Sequence, residues 1–224
     1  LLCRPTLLPR SVRMVDVTYK KTTHTRGGYH RYSTLSMDEW KWWDELDGDD
    51  RKRNAWGWPH YDNEAVAEFI ETYTPITDNV LDIGCGPGRL GHALALRNPD
   101  VKFQGIDVSP NMVAYSKVNA PGNWHVMVND GRTIPDGPYN AVYAVTVFQH
   151  LPYDVVAHYV TQAYDRLNDG GVLIFTYATG NEVAPRSYQV TTDEALEWCR
   201  PFGSVQTLAT PDTHPDWNWM VARK

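Results

Sequence analysis

The stretch Val80-Leu81-Asp82-Ile83-Gly84-Cys85-Gly86-Pro87-Gly88-Arg89-Leu90-Gly91 decides how this chain is read. Val80–Ile83 is a short apolar run, the pattern of a buried strand. It enters a turn with glycine at 84, 86 and 88, and a helical pattern follows from Leu90 to Arg97. Glycines permit the tight dihedrals of such a turn and let a ligand lie against the backbone. The amides at the start of the helix then point at that ligand. Strand, glycine turn and helix in this order form the crevice of a doubly wound sheet, where nucleotide-like ligands bind. The turn alone does not choose between NAD, FAD and other adenosine ligands.

Working outward, the chain alternates. Val101–Ile106, His125–Val128, Ala141–Val147 and Val172–Tyr177 read as further buried strands, and Asn111–Val118 and Asp154–Leu167 as helices between them. In the last of these, Val155, Val156, Tyr159, Val160, Ala163, Tyr164 and Leu167 share one face. Upstream, Asp62-Asn63-Glu64 opens a helix that Pro75 ends, with Ala65, Val66, Phe69, Ile70 and Tyr73 at helical spacing. Strand–helix alternation predicts a mostly parallel sheet with helices on both faces. The C-terminal part differs. Thr191 and Glu194 form a capping-box pattern ahead of a helix through Trp198. Ser204–Ala209 and Trp217–Ala222 then read as two strands whose connection is too short for a helical crossover, so they pair antiparallel. The expected fold is α/β: a Rossmann-like, doubly wound, mostly parallel seven-stranded sheet with a C-terminal antiparallel hairpin.

Three features sharpen the ligand. Asp82 lies inside the first strand, where dinucleotide folds usually carry an apolar residue. The second strand ends in Gly105-Ile106-Asp107-Val108-Ser109, which puts a carboxylate where a ribose diol would lie. The third ends in Asn129-Asp130-Gly131, another acidic tip on the same edge, suited to an adenine amine. With the final hairpin, these motifs resemble the class I S-adenosylmethionine-dependent methyltransferases of the small-molecule type, over about Ala65 to Lys224. The resemblance implies S-adenosyl-L-methionine as cofactor. It implies that Gly84, Gly86 and Gly88, with Asp82 behind them, face the methionine part. Asp107 would take both ribose hydroxyls, Val108 would flank the adenine, and Asp130, with Gly131 beside it, would accept the adenine amine. Thr146-Val147-Phe148-Gln149-His150-Leu151-Pro152 matches the segment after the fourth strand, so Thr146 falls beside the sulfonium. His150 is the candidate substrate ligand or base, with a hydrogen-bonded structural histidine as the other reading.

The implied activity is methyl transfer to an oxygen, nitrogen or carbon acceptor, with a small molecule preferred. No Asp/Asn-Pro-Pro-aromatic segment follows the fourth strand, and the chain has no Pro-Cys pair. Both facts weigh against common nucleic-acid methyltransferase types. A nucleic-acid or protein acceptor, a silent cofactor-binding scaffold and a nicotinamide oxidoreductase stay open as alternatives. Cys85 reads as a packing residue, since no partnered base accompanies it.

The 224 residues carry a net charge of -6, which argues against wrapping nucleic acid with the whole surface but not against a local basic patch. That patch would be residues 1–35, rich in arginine and lysine and read as a poorly ordered arm. The chain begins with Leu, and Met14 is a candidate natural start. Residues 36–61 hold Trp40, Trp42, Trp43, Trp56 and Trp58, five of the nine tryptophans, and read as core or as a lid over the pocket. Residues 62–224 are the expected methyltransferase domain. No apolar run is long enough to span a bilayer. Three scattered cysteines suit a reducing, cytoplasmic setting and form no metal knuckle.

Overall fold

The computed structural model describes residues 41, 43, 44, 62–179, 188–208 and 217–224. The basic arm and most of the Trp-rich segment lie outside the described residues.

Helix α1 (Asn63–Tyr73) starts where Asp62 Oδ1 accepts the amides of Glu64 and Ala65, at 3.0 and 3.3 Å. Strand β1 (Asn79–Ile83) follows, then α2 (Arg89–Arg97), β2 (Lys102–Asp107), α3 (Pro110–Ser116) and β3 (Trp124–Val128). Strand β4 (Tyr139–Ala144) leads through a short 3-10 turn (Phe148–His150) into α4 (Tyr153–Arg166) and β5 (Leu167–Ala178). The chain closes with α5 (Thr192–Trp198), β6 (Ser204–Leu208) and β7 (Trp217–Arg223). The α5 capping box forms as expected: Thr191 Oγ1 accepts the Glu194 amide while Glu194 Oε2 accepts the Thr191 amide.

The seven strands make one sheet in the order β3-β2-β1-β4-β5-β7-β6. The first five run parallel, and β7 lies antiparallel between β5 and β6. This is the expected doubly wound sheet with its terminal hairpin. Because successive side chains of a strand face opposite ways, β1 feeds two cores. Leu81 and Ile83 pack with Val156, Val160 and Ala163 of α4 and Trp198 of α5, whereas Val80 packs with Val66 and Ile70 of α1 and Leu94 of α2. The tryptophans contribute here too, since Trp124, Trp198 and Trp219 are buried.

Two strand expectations need correction. His125–Val128 is not a buried strand: β3 is an edge strand, and Met127 and Val128 are about half exposed, at 46% and 51%. Only Trp124 at its start is buried, and its apolar residues fall on both faces. The fourth strand stops at Ala144 instead of continuing to Val147, because Thr146 adopts φ +59, which no strand accommodates. Among the described residues, no helix is long and apolar enough to cross a membrane.

Candidate active site

Parallel strands bring their C-terminal ends to one edge, so the tips of β2, β1 and β4 stand side by side there. At the central tip the chain leaves β1 through Gly84, Gly86 and Gly88, with φ values of +68, +52 and +84. Two positions require glycine for different reasons. A Cβ on Gly84 would lie 2.5 Å from Val147 Cγ2, so the loop packs directly on the exit from β4. A Cβ on Gly88 would collide with Ser116 Oγ and the His92 ring. Gly86, by contrast, has nothing within 4 Å on its Cβ side, so the loop is open there.

Asp107, at the tip of β2, is tied to this loop. Its Oδ2 accepts the Gly86 amide at 2.8 Å and its Oδ1 accepts the Ser109 amide at 2.9 Å. Burial pushes the Asp107 carboxyl above the usual range against these amide hydrogen bonds. Asp82 is only 5% exposed. Burial pushes its carboxyl well up, partly offset by a hydrogen bond with Tyr143, and the neighbouring Asp107 charge raises it further. Val108 follows Asp107, half-buried. Cys85 is buried, and burial raises its thiol well above the ordinary value, with the charges of Asp82 and Asp107 adding to the effect. A protonated thiol in that setting is a packing group.

The β3 tip is arranged differently. Asp130 is exposed, and its carboxylate closes its own turn: Oδ1 accepts the amides of Arg132 and Thr133, and Oδ2 accepts the Thr133 hydroxyl. Burial is the largest single influence and raises its carboxyl, but these hydrogen bonds together outweigh it and hold it below the usual carboxylate range. Gly131 is buried with φ +74, its amide donating to Asn129 Oδ1, which also accepts the Tyr159 hydroxyl. At the β4 tip, Thr146 is a β-branched residue in the left-handed region, a costly conformation. Its amide donates to Thr176 Oγ1 at 2.7 Å, a bond from β5 that holds the reversed backbone in place.

Comparison with known proteins gives the class. Residues 80–171 match the family described as "Methyltransferase domain". Trans-aconitate 2-methyltransferase of Rhizobium rhizogenes is 32% identical over 106 residues, 46% of this chain and 39% of that protein. Two solved structures share the fold at low identity. The DhpI–SAH complex superposes with TM-score 0.64 at 19% identity, covering 83% of this chain and 94% of that one. Magnesium protoporphyrin IX methyltransferase of Synechocystis with bound SAH gives TM-score 0.62 at 18% identity, covering 83% and 97%. Residues 80–171 thus resemble a methyltransferase domain, and the fold is shared with solved methyltransferases. The chain spans about two fifths of the length of the trans-aconitate methyltransferase it matches.

Around the matched segment the structure adds residues the sequence did not single out. Trp124 fills the space that Gly91 and Gly105 leave free, and a Cβ on Gly105 would come within 2.5 Å of its ring. Its indole N–H donates to Ser116 Oγ at 2.9 Å, and His92 Nε2 lies 2.8 Å from the Ser116 carbonyl oxygen. Burial lowers the His92 imidazole, which keeps it neutral. This trio braces the glycine loop from behind. Ser109 caps α3 by accepting the Met112 amide, a role readable from Ser-Pro at a helix start. On the opposite bank His150 is half-buried in the 3-10 turn, and the Trp43 ring meets it edge-on at 4.9 Å. Among the described residues no group of three or more His, Cys, Asp or Glu side chains is placed to hold a metal.

Proposed function

We propose that the protein transfers a methyl group from S-adenosyl-L-methionine to an oxygen, nitrogen or carbon atom of a small molecule. The observation carrying this reading is the Asp107 carboxylate at the β2 tip, hydrogen-bonded to Gly86, the open point of the glycine loop. The residues present fit an adenosine-type cofactor: the loop offers space beside Gly86, and a partly buried carboxylate stands one strand away. In this reading Gly84, Gly86 and Gly88 face the methionine part with buried Asp82 behind them. Asp107 takes the ribose hydroxyls, Val108 flanks the adenine, Asp130 and Gly131 lie at the adenine amine, and Thr146 stands beside the sulfur. Bound there, S-adenosylmethionine supplies a methyl group already activated on positively charged sulfur. The chain's own task is then to align the acceptor and exclude water, and alignment is worth up to about 7–11 kcal/mol of barrier. In the same reading His150, in the 3-10 turn that follows the reversed backbone at Thr146, serves as substrate ligand or base.

The small-molecule preference draws on the trans-aconitate methyltransferases among the relatives. A nucleic-acid acceptor is the alternative, since a ribosomal RNA methyltransferase of Shewanella amazonensis is 24% identical over 66% of this chain. The cytoplasmic setting belongs to the same proposal and draws support from Cys85 and Cys199, both free and buried. Residues 62–224 make up the proposed catalytic domain.

Calorimetric titration with S-adenosylmethionine, S-adenosylhomocysteine and NAD tests the cofactor. Micromolar binding of the first two without NAD is expected. NAD binding would overturn the assignment, and silence with all three would leave a scaffold without a working cofactor site.

A further inference from the structure

The turn that leaves β3 is held by two side chains of α4. Tyr159 and Gln162 lie three residues apart on that helix and are only 3% and 7% exposed. The Tyr159 hydroxyl donates to Asn129 Oδ1 at 3.1 Å, and the same oxygen accepts the Gly131 amide at 2.8 Å. Gln162 holds the far end of the turn. Its Oε1 accepts the Ile134 amide at 3.1 Å, and its Nε2 donates to the Arg132 carbonyl at 2.7 Å. A buried glutamine is costly unless both ends of its amide are bonded, and a leucine would fill the same space at no such cost. Here both ends are spent on the turn. Burial, with the charges of Asp130 and Asp107, pushes the Tyr159 hydroxyl up, so it stays a donor.

The Asn129 amide donates to the Asp107 carbonyl at 2.8 Å, so the turn begins one strand, about 4.8 Å, from the carboxylate at the β2 tip. A nucleoside whose ribose sits at Asp107 has this turn within reach of its base. Asp130 is exposed, and its Oδ2, which accepts the Thr133 hydroxyl, has a lone pair for a second donor. We propose that Tyr159 and Gln162 are positioning residues for base recognition, holding the 129–134 turn in the form that accepts a 6-aminopurine and rejects a 6-oxopurine. This rests on the methyltransferase reading and adds to it the residues that set the base preference. A turn bonded only within itself could tilt as a unit, whereas these two side chains tie both of its ends to the core helix. A 6-amino group donates to a carboxylate held in this way. A 6-oxo group sets oxygen against oxygen and leaves the acceptor unpaired. The 6-oxo base is therefore penalised more than adenine would be by loss of the carboxylate.

The test uses the full chain and two probes, S-adenosylhomocysteine and its 6-oxo counterpart S-inosylhomocysteine, titrated by calorimetry. The parent is expected to bind the adenosyl probe at least tenfold more tightly. Tyr159→Phe, which removes only the hydroxyl, should narrow that ratio at least threefold. Gln162→Leu leaves the Ile134 amide and the Arg132 carbonyl without their partner and should narrow it at least fivefold. Gln162→Glu keeps an oxygen for the Ile134 amide and should recover part of the loss. Val160→Ala is the structural control, since it thins the core packing of the same helix without removing a bond to the turn. It should lower the thermal midpoint and leave the ratio within about twofold of the parent's. A ratio left within about twofold in folded Tyr159→Phe or Gln162→Leu, or narrowed as much by Val160→Ala, would overturn the proposal while leaving the cofactor assignment intact. A parent that binds both probes alike would do the same. Should Gln162→Leu fail to fold, Tyr159→Phe decides alone. Absence of S-adenosylhomocysteine binding in the parent chain would instead remove the methyltransferase reading, and this proposal with it.

Discussion

The two banks of the crevice are built from different material. The bank at the tips of β1 and β2 is backbone first: three glycines with left-handed torsions, a carboxylate bonded to loop amides, and an indole wedged behind. Its cofactor-facing parts come from short runs of sequence, 82–91 and 105–109, with Trp124 behind them. The bank beyond β4 is assembled from side chains far apart in sequence, His150 with Trp43, and its turn is pinned by Thr176 of the neighbouring strand. A backbone site tolerates almost no added atoms, whereas a side-chain site tolerates exchange of one ring for another. Substitutions on the two banks should therefore fail in different ways.

The largest effect is expected from Gly105→Leu. The new side chain would have to occupy the space of Trp124 and Cys85, and overpacking of this kind costs about 1–3 kcal/mol or more. Thermal unfolding should show a drop of at least several degrees together with lost cofactor binding. A variant as stable as the parent would mean that the indole moves freely and braces nothing. Next, Asp107→Ala should weaken S-adenosylhomocysteine at least tenfold, about 1.4 kcal/mol, with the fold retained. Unchanged calorimetric affinity in a folded variant would remove the ribose role.

Asp82→Asn separates stability from binding. Burial raises the native carboxyl above its ordinary value of 3.8, so the native state holds the proton more tightly than the unfolded chain. Stability contributed in this way is complete below the ordinary value and is lost as pH rises through the native one. The asparagine variant should accordingly lose less stability between pH 5 and 8 in urea unfolding, yet bind cofactor more weakly. A parent and variant with parallel pH profiles would contradict the burial argument. Thr146→Gly should raise stability by about 1 kcal/mol by relieving the left-handed backbone, and a loss would mean that the threonine side chain contributes more than its strain costs. Asp130→Ala is expected to change cofactor affinity less than fivefold, because that carboxylate is exposed and occupied by its own turn. A larger loss in titration would make the β3 tip as important as Asp107.

The same contrast decides what could be read from sequence. The alternation of parallel strands with helices, the terminal hairpin, the Thr191–Glu194 cap and the gathering of 84–88, 107 and 130 on one edge follow from local patterns and from the fact that parallel strands share their ends. Contacts such as Asp44 with Ser109, 65 residues apart, leave no periodic trace, because any acid in any loop could have made them. Thr146 illustrates a third case. Its neighbours are apolar and its residue type favours strands, so the run to Val147 reads as one strand. Only the bond from Thr176, on the next strand, shows why the backbone turns away early. The exposure of β3 was hidden similarly, since sequence gives a strand's composition but not whether a neighbour lies on both sides.

The place of β7 between β5 and β6 also has a consequence in time. Strand β5 is buried almost throughout its second half, and its free side is covered by Trp219, Met220 and Val221, none more than 1% exposed. Those residues are synthesised after β6, so for a nascent chain the central sheet presents an apolar, unpaired edge until the last strand arrives. An open edge of that kind is where association with other unfinished chains begins. The rate at which β7 slots into its gap therefore sets how long each new molecule is vulnerable, and slow translation of this final strand would show as lower yield rather than as altered chemistry.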